Sequence, residues 1–463
     1  MKDRYAGLVE ELSSAYAGRC PRSAALDQRA RAVMVDGGNH GVRLNRPFPP
    51  RVADARGACV GDADGHALLD FWQGHFTNLL GHAPAVVTEA LSEAFAAGRG
   101  LQLGIPDELT VETAELVSAR VHAEKVRFTT SGTLATMYAV MLARVFTGRR
   151  LVVKVAGGWH GAQPWTLKGV YFHPGPEPWT LESEGLPAHI SDEVVIARFN
   201  EPDELVEQFR RHGDEIACLI VEPFAGAGSF MAASPEYLAV ARELTERHGA
   251  LLVFDEVISA FRFCAGDLGA LYGIRPDLLA LGKIVGGGMP VAAVAGRADV
   301  LALSGKEGGD RVTFTGGTYS AHPASMLAAR TMVSYLVEHE AEIYPRLAVL
   351  GDKLRLAVEQ GFAAEGVAVH CSGAPSEAMA GSSLAALHFP HDADAVVDRP
   401  HEGFDPAFCD VALKEQVLQL ALLLEDVYTL FGSFALSTAH TEADIERLGA
   451  ACRAAARRIR PHR

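Results

Sequence analysis

The chain has no stretch of about 18 consecutive apolar residues, so no membrane-spanning helix is expected. It has no CxxC, no HExxH and no Cys/His quartet, and its eighteen histidines are dispersed, so no metal centre is expected. The seven cysteines (Cys20, Cys59, Cys218, Cys264, Cys371, Cys409 and Cys452) are odd in number and scattered, which suits free thiols in a reducing, cytoplasmic setting. GxSxG is missing, and a Ser-His-Asp hydrolase of the α/β type needs it. GxGxxG is also missing, and no lysine follows Gly-Thr as in a P-loop, which disfavours nucleotide binding. Positive charge is in deficit, with 42 Lys and Arg against 57 Asp and Glu and a net charge of −15. Nucleic acid and anionic membranes are therefore not expected partners. The start, MKDRYAGLVEELSSAYAG, reads as an amphipathic helix and not as a signal peptide. The basic end, Arg453–Arg463, reads as the cation-rich close of a last helix, where positive charge suits the dipole. One local His/Asp group, His388, His391, Asp392 and Asp394, sits in polar sequence and reads as a solvated loop.

What is present is an ordinary globular composition, 49% hydrophobic and 21% charged, in a chain of 463 residues, too long for one core. In Gly57–Phe71 two short apolar runs meet at Asp64-Gly65, a hairpin signal. Pro84 opens a helical pattern with Val87, Ala90, Leu91, Ala94 and Phe95 on one face. From about residue 125 strands and helices alternate: VRFTTS, LVVKVA, EVVIARF, ACLIVEPF, ALLVFDEV, DLLALG and VAAVAG are short runs suited to strands buried on both faces. A mainly parallel sheet between helix layers follows, an α/β fold. After Pro323 come long helices, Ala324–Glu340 and roughly Tyr344–Glu359, then strand-like SFALS and a last helix from Thr441. The expected division is an N-terminal segment, 1–75, joining a small α+β domain completed by 323–463, around a large domain, 76–322. Gly169–Glu193, rich in Gly, Pro and charge between two core strands, reads as a surface loop and a candidate lid.

Five short segments carry candidate chemistry. In LALGKIVGGGMP (Leu279–Pro290) a single lysine, Lys283, stands in an apolar glycine-rich run. Desolvation there lowers an amine's pKa and frees it as nucleophile or base, although a strand-end lysine also snorkels to water. In ALLVFDEVISAFR (Ala250–Arg262) Asp255 and Glu256 close an apolar strand. Ligands of open α/β sheets sit at such carboxyl ends, and helix-initiating acids sit there too. Ser131-Gly132-Thr133 joins a strand to a helix and offers free N–H groups and hydroxyls to a single phosphate, or simply caps the helix. Trp159 and His160 follow a strand and a Gly-Gly pair; the indole suits stacking on a flat ring as well as ordinary core packing. Gly316-Gly317-Thr318 offers further donors, or a plain turn ahead of Pro323.

In this order the segments resemble the class III (subgroup II) pyridoxal-phosphate-dependent aminotransferases, closest in look to glutamate-1-semialdehyde aminomutase and the β-amino-acid and phenylglycine aminotransferases. The resemblance runs from about Arg29 to Glu446 and is most specific in FDEV, in LGKIVGGGMP with its lysine 28 residues after Asp255, and in GTYSAHP. It implies a fold-type I architecture and pyridoxal 5'-phosphate as cofactor. Lys283 is similar to the lysine of the internal aldimine, and Asp255 to the acid that pairs with the pyridine nitrogen. By the same resemblance Ser131, Gly132 and Thr133 form the phosphate cup. Trp159 stacks on the ring, Val257 packs on its other face, and Glu222 lies near its hydroxyl side. Thr318 is similar to a threonine that reaches the phosphate from the neighbouring subunit, which implies a homodimer with shared sites. The implied activity is amino-group transfer between an amine or amino-acid donor and a carbonyl acceptor, with an intramolecular aminomutase as the alternative.

Departures from the family pattern fall on substrate choice. SGTEA is SGTLA here, GEAG appears as Gly226-Ala227-Gly228, Ala260 replaces a glycine, and YTLFGSFALS (Tyr428–Ser437) has neither the acid nor the arginine found there in relatives. Arg43, Arg46 and Arg51 are the candidates for holding a substrate carboxylate.

Overall fold

The structure, a computed structural model, describes residues 4–173, 179–227 and 229–463. Its centre is a seven-stranded sheet in the order Lys125–Thr129, Ala292–Gly296, Leu278–Leu281, Leu251–Asp255, Ile216–Val221, Leu151–Val155, Val194–Ala197. These are the seven runs expected from sequence, and their residues are almost all buried because helices cover both faces. Ala292–Gly296 alone runs antiparallel to both its neighbours. The other six strands therefore end on one edge, and Thr129, Val155, Val221, Asp255 and Leu281 bring their following loops to that edge. In the register Asp255 lies opposite Ala280, one residue beyond the Phe254–Val221 pair.

The hairpin at Asp64-Gly65 forms, pairing Cys59–Asp62 with Ala67–Asp70, and Gly65 takes the positive φ of +93° that such a turn favours in glycine. The strand Ala67–Asp70 pairs in parallel with Val427–Tyr428, so the N-terminal region is joined to the C-terminal one through backbone hydrogen bonds. The first helix, Ala6–Arg19, buries Leu8, Leu12 and Tyr16. A second small sheet, His370–Ser372, Leu384–His388 and Ser433–Ala435, includes the SFALS run. The last helix, Glu442–Ile459, starts on a capping box between Thr441 and Asp444. Its basic end is tied down: Arg453 Nε and Arg457 Nε each donate to Glu365 at 2.9 Å. No helix among the described residues is long and apolar enough to cross a membrane.

Several expectations need correction. Phe95 is 48% exposed, whereas Val87 and Ala94 on the same helix are buried. At 3.6 residues per turn Phe95 lies roughly 80° round from Val87, at the edge of the apolar stripe. The helix placed at Tyr344–Glu359 runs Glu340–Ala363 and takes Pro345 inside it. His388 is fully buried in its strand, with its Nε2 3.0 Å from Ser372 Oγ and its Nδ1 3.3 Å from Lys414 Nζ; only His391, Asp392 and Asp394 are exposed. The loop 169–193 is anchored at its described ends, where Val170 and Ile190 are buried and Lys168 bridges to Leu181. Its residues 174–178, and Gly228 of the Gly-Ala-Gly segment, lie outside the described residues.

Candidate active site

At the carboxyl edge of the sheet lies a cavity of about 640 Å³ whose lining includes Ser131, Trp159, Glu222, Asp255, Val257 and Lys283. Each arrives there because a buried strand ends and its loop turns over the edge.

Asp255 closes the central strand and is buried. Its Oδ1 accepts from the Val257 amide at 3.0 Å, and its Oδ2 lies 2.8 Å from His160 Nδ1. The His160 ring is fully buried, and its Nε2 has no hydrogen-bond partner among the described residues. Burial pushes this imidazole's pKa down, while Asp255 pulls it up. With the carboxylate accepting, Nδ1 carries the proton, and the ring orients Asp255 from behind. Glu256, the neighbour of Asp255, serves structure: it accepts from the Leu268 and Gly269 amides and the Ser259 hydroxyl.

Glu222 follows the strand Ile216–Val221. Its Oε1 accepts from the Trp159 amide at 3.1 Å and its Oε2 from the Gly226 amide at 2.9 Å. Burial, and next the charge of Asp255, push its pKa up, while the Gly226 and Trp159 amides oppose that rise. The Trp159 indole is 39% exposed and faces the cavity. The loop bearing Trp159 and His160 is held by Lys154, a fully buried lysine that donates to the carbonyls of Gly158 at 3.0 Å and Lys168 at 2.8 Å.

Lys283 follows an extended Gly282 and itself takes a positive φ of +50°, a conformation costly for any side-chain-bearing residue. Half-buried among apolar neighbours, its amine is pushed down to about 8, with Asp255 and Glu222 opposing that fall. Beside it the Ser131 hydroxyl caps the helix Gly132–Thr147 by accepting from the Leu134 amide at 3.3 Å. A side chain at Gly132 would place its Cβ 2.9 Å from both Val257 methyl carbons, so only glycine leaves the backbone N–H groups open beside Val257. One at Gly161 would strike Thr133 at 2.6 Å. The result is a cradle of main-chain donors and hydroxyls able to hold a phosphate, with a carboxylate and a nucleophilic amine in the same cavity.

Of the residues expected around the cofactor, Thr318 alone is outside the cavity lining. It is exposed, and its carbonyl accepts from Gln102 Nε2. Of the three arginines, Arg43 lines the cavity. Arg51 is engaged elsewhere, with its Nη2 2.6 Å from Asp27 Oδ1 and also donating to the Gly37 carbonyl, and Arg46 is exposed outside the lining. Sequence reasoning missed His160 as a partner of Asp255, and His40, His75 and Asn78, which line the cavity beside Arg43. A histidine directly after Gly-Gly-Trp at a strand's carboxyl end was the available signal for the first.

The chain matches the family model described as Aminotransferase class-III over residues 43–360. It is similar to a glutamate-1-semialdehyde 2,1-aminomutase of Halobacterium salinarum, 37% identical over 94% of this chain and 99% of the relative. Among solved structures it resembles an omega-transaminase from Sphaerobacter thermophilus, with a TM-score of 0.83 and 32% identity over 95% of this chain and 98% of that one. It also resembles a transaminase with PLP bound, with a TM-score of 0.82 and 29% identity over 96% and 98%.

Proposed function

Because the chain belongs to the class-III aminotransferases, a pyridoxal-phosphate family of the fold-type I architecture, we propose that it is an aminotransferase moving an amino group from an amine or amino-acid donor to a carbonyl acceptor. The observation that carries the reading is a single cavity holding a lysine of depressed pKa, a buried Asp–His pair and an open helix N-terminus. The residues fit the cofactor: Ser131, Gly132 and Thr133 for its phosphate, Asp255 for its ring nitrogen, Trp159 and Val257 for its two faces, and Glu222 for its phenolic oxygen. When bound, pyridoxal phosphate supplies the aldehyde carbon that carries the amino group and a ring that accepts electrons.

The chain's own residues do the rest. Lys283, with a pKa near 8, has a substantial neutral fraction under ordinary conditions, so its Nζ takes a proton from the substrate carbon and returns it at the next position. Keeping that amine in place makes the transfer an effectively intramolecular step. Asp255 offers its carboxylate to a protonated ring nitrogen, and His160 and the Val257 amide fix its direction. Glu222, its pKa raised by burial, would meet the cofactor's phenolic oxygen, and the Trp159 and Gly226 amides hold it in place. Arg43 at the cavity wall suits a substrate carboxylate. A homodimer is part of this proposal. Leu101, Leu103, Ile105 and Tyr319 are large exposed apolar residues flanking the Gln102–Thr318 contact, a face that a second copy would cover while presenting Thr318 to its partner's site.

An aminomutase is the second reading, favoured by the name of the 37%-identical relative. Against it, neither an acid nor an arginine stands in Tyr428–Ser437. Stoichiometry decides. The purified holoenzyme given donor alone stops after one equivalent, and a 2-oxo acid or aldehyde restores turnover; sustained conversion of one substrate without acceptor would make it an aminomutase.

A further inference from the structure

Four successive residues, Gln73, Gly74, His75 and Phe76, have φ of 44°, 61°, 65° and 66°, a full turn of left-handed backbone with only one glycine in it. For the three others this costs about 1–2 kcal/mol each. The surroundings hold it from both ends. On one side Asp70 accepts from the Trp72 and Gln73 amides at 2.7 and 3.1 Å and is itself fixed by His82 Nε2 at 2.6 Å, while Gln73 Nε2 donates back to the Asp70 carbonyl. On the other the fully buried Arg262 guanidinium, from the loop after the Asp255 strand, donates to the carbonyls of Phe76 and Ile258. Strain so thoroughly braced is usually there to place something.

It places His75 in the wall of the Lys283 cavity. The ring is positioned by aromatic contacts, 4.6 Å from Trp72, 5.6 Å from Phe76 and 5.3 Å from His40 between centroids. Among the described residues neither of its nitrogens makes a hydrogen bond, and the half-buried ring does not seal them from solvent. Burial, then the positive charges of Lys283, Arg43 and His40, push its pKa down to about 3, so the imidazole is neutral and offers one donor and one acceptor. A phenyl ring would fill this aromatic nest as well, but it would bring no hydrogen-bonding atom to the cavity wall. The half-buried ring lines the space that a substrate must enter.

We infer that His75 sets substrate choice, hydrogen-bonding the polar side-chain group, a hydroxyl or amide, of an amino-acid substrate whose carboxylate lies on Arg43. This rests on the aminotransferase reading. A site built to pair a polar group rejects the analogue lacking it, whereas an apolar wall cannot strongly prefer either.

Two readouts test it on the holoenzyme. The first is binding of unreactive acids, 4-hydroxybutanoate against its apolar isostere pentanoate, followed by the fluorescence of Trp72 and Trp159. The second is kcat/KM for homoserine against norvaline. The wild type favours the hydroxylated member of each pair by about 10- to 100-fold. His75→Phe brings the ratio to one or inverts it, and His75→Asn, which keeps a donor and an acceptor, retains much of it; cofactor absorbance is unchanged in both. Equal affinities in the wild type overturn the inference without any variant, and so does a ratio that His75→Phe leaves intact. If the acids are discriminated through His75 but no donor–acceptor pair turns over, the inference stands and the aminotransferase reading falls.

Discussion

The cavity has two walls built in opposite ways. Asp255, Glu222, Ser131 and Lys283 hang from the ends of buried strands whose order and register leave each only one place to be. Arg43, His40 and His75 come from the N-terminal region, outside the seven-stranded sheet, and His75 stands on a strained turn clamped by Asp70 and Arg262. The first wall takes its geometry from the packed central sheet; the second takes that of His75 from hydrogen bonds and from the buried rings of Trp72 and Phe76. Cofactor chemistry suits the rigid wall, and substrate choice suits the one that can change without disturbing the sheet. The comparison predicts that substitutions on the strand-end wall abolish chemistry, whereas those on the N-terminal wall redirect it.

The largest effect is expected at Lys283. Lys283→Ala abolishes turnover and the absorbance of the lysine-linked cofactor, while circular dichroism stays native, since the removed side chain is half-buried at a cavity wall. Measurable steady-state turnover in this variant would move the proton-transfer role elsewhere. Next comes Asp255→Asn, expected to lose about 100-fold or more in kcat with substrate KM changed little, the scale of a lost acid–base partner. A rate within a factor of a few of wild type would break the claim that this carboxylate governs the ring nitrogen. His160→Gln, which acts only through Asp255, should fall between Asp255→Asn and wild type.

Lys154→Met separates architecture from chemistry within the rigid wall. It removes donors from the carbonyls of Gly158 and Lys168, and should cost about 1–3 kcal/mol of stability by leaving buried acceptors unpaired. Because that loop carries Trp159 and His160, cofactor affinity measured by dialysis and reconstitution should drop with it. Unaltered stability in urea unfolding would mean that the loop is held by its flanks alone.

The same contrast explains what was legible in the sequence. Strand-end residues announce themselves, since an apolar run of five or six residues ending in Asp-Glu or Gly-Lys marks both the sheet and its edge. Hence the seven strands could be read directly, whereas Lys283 and Asp255 stood out by position and took their expected roles from the family resemblance carried by the same stretches. The His160–Asp255 pair spans 95 residues and leaves no local pattern. The left-handed turn is more opaque, because FWQGHF carries one glycine where four positive φ angles occur, and the cause is tertiary: Asp70, His82 and Arg262. His388 was misread for the related reason that polar neighbours on one side hid a buried strand on the other. Thr318 stands apart because one chain does not bring it to the cavity at all.

The smallest effects fall on the two arginines that sequence left indistinguishable. Arg43 lines the cavity, and among the described residues no carboxylate pairs with it. Arg51 is bound to Asp27, which also holds Arg31 at 2.6 Å. Arg43→Ala should therefore raise KM about 10-fold for donors with a carboxylate, the worth of one charge-assisted contact, and leave carboxylate-free amines such as 2-aminobutane nearly unchanged. Arg51→Ala should leave both KM values alone and cost about 1 kcal/mol or less of stability, because Arg31 keeps Asp27 paired. Should Arg51→Ala instead raise KM while Arg43→Ala does not, the N-terminal wall would be anchored through Asp27 and the cavity-lining position of Arg43 would have no bearing on substrate binding. A raised KM for carboxylate-free amines in Arg43→Ala would point the same way, to a packing role for its side chain, since only the anion distinguishes the two classes of donor.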